Sequence, residues 1–148
     1  MSTYSQLYIH VVFSVSNRDR LLDLSWRYRL YNYIIAIMQN HKHKVLAIGG
    51  TDDHIHIFFS YNHSELIQTI VRYVKRDSSL WIKENRLAPC RFGWQEGYGA
   101  FSYSKSQVNH VVKHILTQEK AHENKSSLDE YKELLEKYNV EYNEKYLQ

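Results

Sequence analysis

The chain has 148 residues, a hydrophobic fraction of 43% and a net charge of +3, which suits one globular domain spanning residues 1–148 with a sizeable core. Its apolar runs are too short for a membrane span, the first residues lack a signal-peptide pattern, and the single cysteine, Cys90, excludes an internal disulfide and a cysteine metal cluster. A cytoplasmic protein is expected. The charge is uneven: residues 1–118 carry 14 Lys/Arg against 8 Asp/Glu, and residues 119–148 carry 5 against 8. A basic body with an acidic tail is compatible with a polyanion partner.

Leu7–Val15 is rich in β-branched and aromatic residues and predicts a first, central strand, broken by Asn17-Arg18-Asp19-Arg20. Asp23 or Ser25 caps a helix from about Trp26 to Asn40, with Leu30, Ile34, Ile37 and Met38 on one apolar face. His41-Lys42-His43-Lys44 is expected to be a solvated basic turn. A second strand covers Lys44–Ile48, Gly49-Gly50 forms the turn, and a third strand runs to about Tyr61. Asn62 or Ser64 opens a second helix with Leu66, Ile67, Ile70, Val71 and Val74 inward and Arg72, Lys75 and Arg76 outward. The glycines of Phe92–Tyr103 suggest a bent or bulged strand at which another chain approaches closely. Ser104-x-x-Gln107 and Ser127-x-x-Glu130 fit capping boxes for a third helix to about Glu123 and a last one to about Tyr138. Tyr138, Tyr142 and Tyr146 would anchor that last helix.

The order β-α-β-β-α-β-α-α begins as the split βαβ arrangement of an α+β, ferredoxin-like fold with additional C-terminal helices. It implies an antiparallel sheet with helices on one face and the other face open.

The third strand carries Asp53-His54-Ile55-His56. Side chains alternate across a strand, so His54 and His56 share a face and can act as paired metal ligands or as two polar residues on a solvated face. On the third helix His110, His114, Gln118 and His122 recur every four residues and line one stripe. An amide carbonyl is a competent ligand for a hard cation. Two imidazoles and one carbonyl would leave positions open for water or a phosphate oxygen on Mg²⁺ or Mn²⁺.

Asp53-His54-Ile55-His56, Gly97-Tyr98-Gly99-Ala100-Phe101-Ser102-Tyr103-Ser104 and Ile115-Leu116-Thr117-Gln118 together resemble the HUH single-tyrosine transposases, the TnpA-type enzymes of short bacterial insertion sequences. The resemblance extends from Val11-Val12-Phe13-Ser14 to Glu144-Lys145-Tyr146-Leu147. It implies a bacterial, DNA-associated homodimer with a divalent cation on His54, His56 and Gln118. It also implies recognition of a DNA hairpin beside a single-stranded segment, and active sites that in many members are composed from two subunits. A tyrosine one turn before the glutamine would attack a DNA phosphate, forming a 5′-phosphotyrosine and releasing a 3′-hydroxyl. Here that position is His114, and Thr51-Asp52 stands where the family has Met-Pro.

Three readings of His114 follow. The protein binds DNA and metal without cutting, or His114 itself attacks phosphorus, or a nearby Tyr98 or Tyr103 substitutes. A further metal ligand at His114 would close the site. Arg18, Arg20, Arg72, Lys75, Arg76 and Lys105 are the candidate contacts for single-stranded or hairpin DNA. The rival classes are a non-enzymatic DNA- or RNA-hairpin-binding protein derived from a transposase, and a metal-dependent phosphodiesterase that uses water.

Overall fold

The computed structural model describes residues 2–118 and 127–137. The chain runs β1 (Tyr8–Ser14), α1 (Leu24–Asn40), β2 (Lys44–Gly50), β3 (His54–Ser60), α2 (Ile67–Glu84), β4 (Gly99–Tyr103), α3 (Val108–Leu116) and α4 (Ser127–Lys137). The strands form one antiparallel sheet in the order β2-β3-β1-β4. This is the expected ferredoxin-like topology, and it puts the histidine strand between two neighbours.

Strand alternation divides the molecule into two cores. Val11, Phe13, Ile48, Ile55, Ile57 and Phe59 point to the side covered by α1 and α2, where they meet Leu30, Ile34, Met38, Ile70, Val71 and Val74. Asp23 caps α1 by accepting the Ser25 backbone N–H at 3.0 Å, and Leu30, Ile34 and Met38 are wholly buried. On α2 the expected inward position Leu66 is instead 61% exposed at the N-cap. Of the expected outward cations, Lys75 turns in and donates to the carbonyls of Gln95 (2.7 Å) and Gly97 (2.6 Å).

The second face is covered, contrary to the open face expected. Ala47 and Phe58 pack under Val111 and Ile115 of α3, and Val12 and Phe101 pack under Leu135 of α4. The strands leave room for this, because their second face also carries the apolar Val12, Ala47, Phe58 and Phe101; helices appended after a split βαβ unit then have somewhere to go.

The glycines explain how closely α3 sits. Gly49 and Gly50 belong to β2 itself, not to a turn. A Cβ on Gly49 would collide with the backbone oxygen of Ile115, so only glycine admits the α3 backbone at that point. At Gly99 a Cβ would stand 2.7 Å from Cε1 of Tyr131, so the close approach there is made by α4 of the same chain and not by another chain as expected.

His43 also departs from its sequence reading. It is buried, accepts the Asn62 N–H at Nδ1 (3.1 Å) and meets Glu65 with Nε2 at 2.7 Å. A fully paired imidazole can be buried at little cost, whereas a solvated turn would have left it unpaired. It joins β2 to the start of α2.

Replacing Gly49 by Ala must displace α3 from the sheet. We expect a loss of about 1–3 kcal/mol, as for other overpacked sites, seen as a melting temperature lower by several degrees. An unchanged melting temperature would show that α3 does not rest on β2 in solution.

Candidate metal centre

The covered second face contains the chemistry. His54 and His56 of β3 both point into it, as period-two alternation requires, and both are buried. His10 of β1 joins them: Val12 pairs with His56 in the register, so His10 lies diagonally across.

Each strand imidazole is held by its Nδ1. For His54, the Asp53 carboxylate (2.8 Å) and the Thr51 hydroxyl oxygen (2.9 Å) lie at Nδ1, and the Thr51 hydroxyl also donates to Asp53 at 3.1 Å. For His56, Nδ1 stands 2.7 Å from Nε2 of His10. The Asp53 carboxylate therefore places the neutral His54 proton on Nδ1 and leaves that ring's Nε2 lone pair facing inward, while the His56 Nδ1–His10 Nε2 pair shares a single proton and His56 also turns its Nε2 inward. Burial pulls the His56 imidazole well below its ordinary range, reinforced by His54 and His10. Burial, with His114 second, lowers His10 from 6.5 to about 4, while Glu130 opposes the shift. Neutral imidazoles with free lone pairs are the state a metal ligand needs.

Gln118 arrives from the end of α3. It is buried, and its Nε2–H donates to the His114 carbonyl at 3.2 Å, which fixes the amide so that Oε1 lies 3.3 Å from His54 Nε2. An amide oxygen therefore faces a ring lone pair. The structure thus brings His54, His56 and Gln118 together, and it does so within one chain.

A fourth group completes the cluster. Glu130 of α4 places Oε1 3.4 Å from His56 Nε2 and Oε2 4.0 Å from His54 Nε2. The ligand atoms of His54, His56 and Glu130 lie within 4.8 Å of one another. The 3.4 Å contact is an ion-pair distance without hydrogen-bond geometry, and His56 Nε2 has no hydrogen-bond partner among the described residues. A buried, unpartnered nitrogen beside a carboxylate and a carbonyl is a donor set that fits a divalent cation. Glu130 had been read as a capping-box residue; its carboxylate turns instead to the histidines. The available signal was its position on the α4 stripe that also holds Leu134, an acid at an inward-facing site.

His114 does not enter the cluster directly. Its Nε2 meets Glu130 Oε1 at 3.1 Å and its side chain remains 43% exposed. His110 is exposed, and His122, Tyr138, Tyr142 and Tyr146 lie outside the described residues.

The other candidates separate. Arg18 lines the cleft beside His54, His56, Tyr98, Glu130 and Tyr131. Asn17 and Arg18 both have left-handed backbones (φ 57° and 54°), and this turn aims the guanidinium back at the Ser14 hydroxyl, 2.8 Å away, and over the Tyr131 ring. Such conformations are stored where surrounding contacts enforce them. Arg20, Arg72, Arg76 and Lys105 are exposed and do not line the cleft, Arg20 lying near Asp52 and Arg76 beside Asp77. Tyr98 lines the cleft, whereas Tyr103 backs His10 with its hydroxyl 3.5 Å from Nδ1. Tyr131 on α4, absent from the sequence candidates, is a second tyrosine at the cleft.

An α+β protein of ferredoxin-like topology, with a buried histidine pair open to a cleft, is the class these features define. The chain belongs to the family described as "Transposase IS200 like", whose model matches residues 3–118. Among solved structures it is similar to a Deinococcus radiodurans R1 protein assigned as a transposase, at 15% identity and a TM-score of 0.64, over 80% of this chain and 95% of that one. It is also similar to a REP-associated tyrosine transposase bound to a REP hairpin, at 15% identity and a TM-score of 0.59, over 79% of this chain and 72% of that one. At these identities the likeness is one of fold. No curated protein matches. Among the described residues no helix is long and apolar enough to cross a membrane.

The burial of His10 has a pH consequence in chelator-treated protein. The unfolded ring takes up its proton near 6.5, the folded one only near 4. Between those values the unfolded chain binds more protons, so stability is complete above pH 6.5 and falls as pH drops toward 4. This group alone contributes up to about 3 kcal/mol of that fall. Denaturant unfolding from pH 7.5 to 4.5 should show the slope, and His10→Phe should flatten it; a slope unchanged in the variant would assign the effect elsewhere.

Proposed function

We propose that this family member binds single-stranded hairpin DNA and holds a divalent cation, Mg²⁺ or Mn²⁺, on His54, His56 and Gln118, but does not capture the cut strand through residue 114. We take residues 1–148 as one transposase-like unit, derived from an insertion sequence. The observation that carries the reading is that His54 and His56 turn their Nε2 atoms into one buried region, where the Gln118 amide oxygen stands 3.3 Å from His54 Nε2.

When bound, the cation polarises a phosphodiester and stabilises charge on the departing oxygen. This chain's residues do the rest. Asp53 and Thr51 orient His54, and His10 orients His56. Arg18, projecting from its left-handed turn, is the cation best placed to meet a phosphate entering the cleft. Tyr98 offers an aromatic face to a base. Arg20, Arg72, Arg76 and Lys105 lie farther out and would contact flanking backbone, and Lys75 is committed to loop carbonyls. The hairpin carried by the similar REP-associated transposase supports hairpin DNA as the class of partner.

In the covalent reaction the resemblance implies, a tyrosine oxygen bonds to phosphorus as the bond to the 3′-oxygen breaks, and the strand leaves as a 3′-hydroxyl. His114 has no phenol to offer, and its Nε2 is engaged by Glu130. Attack by His114 is disfavoured for that reason. A homodimer is expected, since β2 and β4 are edge strands. It need not exchange α3, because Gln118 already reaches the histidines of its own chain.

Labelled hairpin DNA incubated with the protein and Mn²⁺ should bind without forming a covalent adduct on denaturing gels. His114→Tyr should bind as tightly and form a 5′-phosphotyrosine adduct. A wild-type adduct mapped by mass spectrometry to His114, Tyr98 or Tyr131 would overturn the reading, as would a His114→Tyr variant that binds metal and DNA yet stays inert. Preference for an RNA hairpin over the DNA hairpin in competition would point to the RNA-binding class, and turnover with no adduct to hydrolysis by water.

A further inference from the structure

We propose that Glu130 is a metal ligand contributed by α4, and that His114 is the residue that positions it. The inference rests on the metal reading above and extends it to the two residues that the histidine-glutamine set leaves unexplained.

Glu130 is buried, with its carboxylate between His56, His54 and His114 at 3.4, 4.0 and 3.1 Å. The buried His56 Nε2 stands 3.4 Å from the Glu130 carboxylate without hydrogen-bond geometry, so a buried carboxylate lies against a ring nitrogen that does not donate to it. A cation at that point removes the conflict. The ligand atoms of His54, His56 and Glu130 lie within 4.8 Å of one another, His56 Nε2 is without a hydrogen bond, and Gln118 Oε1, turned by its bond to the His114 carbonyl, stands 3.3 Å from His54 Nε2. Two imidazoles, an amide oxygen and a carboxylate form an N₂O₂ donor set carrying one negative charge.

That set has consequences for the ion. Nitrogen donors and a carboxylate suit Mn²⁺ better than Mg²⁺, which prefers oxygen and water. An ion held by those groups would still take water or a phosphate oxygen as further ligands.

His114 then has a role. Its Nε2–H is within hydrogen-bond distance of Glu130 Oε1, the bond that typically orients a ligating carboxylate. In place of a nucleophile, position 114 supplies a holder for an extra ligand. Because Glu130 lies on α4 and the other ligands lie on β3 and at the end of α3, the bound ion would also fasten α4 to the sheet.

The test measures Mn²⁺ binding by calorimetry and by electron paramagnetic resonance of free Mn²⁺, on full-length protein checked for native circular dichroism. Wild type should bind one Mn²⁺ per chain, and His56→Ala should abolish binding. The isosteric Glu130→Gln should weaken affinity at least tenfold. His114→Phe should weaken it by roughly tenfold, as for other residues that hold a metal ligand, while His114→Gln, which keeps an N–H donor, should remain within a few-fold of wild type. Mn²⁺ should slow amide hydrogen exchange across residues 127–137 in wild type and not in Glu130→Gln. Wild-type affinity in Glu130→Gln overturns the inference while leaving the histidine-glutamine site standing. Absence of any Mn²⁺ binding in wild type overturns that site itself. Equal weakening by His114→Gln and His114→Phe removes the positioning role of His114.

Discussion

A buried ring nitrogen without a hydrogen bond, His56 Nε2, faces the Glu130 carboxylate beside His54 and the Gln118 amide oxygen, and much of the second sheet face is arranged around that conflict. Three of the four groups are held in place. His54 is fixed at Nδ1 by Asp53 and Thr51, His56 by His10, and Gln118 by the His114 carbonyl. In water such groups would each find a donor. Inside the protein the interaction strengthens as the effective dielectric falls, so a positive charge at the focus is the simplest way to satisfy all of them. Burial lowering the proton affinity of His56 makes a proton a poor candidate for that charge and a divalent ion a better one.

The geometry of α3 follows from a packing constraint of a different kind. Gln118 reaches His54 only because the α3 backbone rests on β2, and it rests there only because position 49 has no side chain. Val111 and Ile115, one turn apart, press on Ala47 and Phe58, and the next position on that stripe is Gln118. Burial of apolar surface thus sets the height and rotation of a polar ligand. The opposite face of the sheet, with α1 and α2, has no such duty and reads as an ordinary apolar core.

The sheet order and the facing of the two histidines were legible in the sequence because each depends on local pattern: alternation in β3, helical spacing in α1 and α3, turn residues between them. The misreadings share a cause. Gly49-Gly50 resembles a turn unless one knows that a helix backbone passes over it, and His43 resembles a solvated loop residue unless Glu65, 22 positions on, is brought beside it. Ser127-x-x-Glu130 satisfies the local rule for a helix start, and nothing local says that the glutamate faces three histidines. In every case a partner distant in sequence decided the outcome. The family resemblance supplied Gln118 for the same reason: it stood in for a long-range contact that periodicity could not show.

The seat of α4 makes the carboxylate's position mechanically significant. The helix rests on a small apolar cluster, Val12, Phe101 and Leu135 with Tyr131 and Leu134 at its margin, far less than the cores beneath α1 and α2. A short helix so lightly covered has little packing energy to hold it, since helices of this length derive their stability from tertiary contacts. The carboxylate of Glu130 is its main polar tie to the histidines. With a cation at the focus that tie is attractive; without one it adds a negative charge to an acceptor-rich pocket. On the proposed reading the ion therefore both serves the phosphate and determines whether α4 stays docked. Arg18, lying over Tyr131 at the cleft, would then feel the ion's presence through the helix it touches.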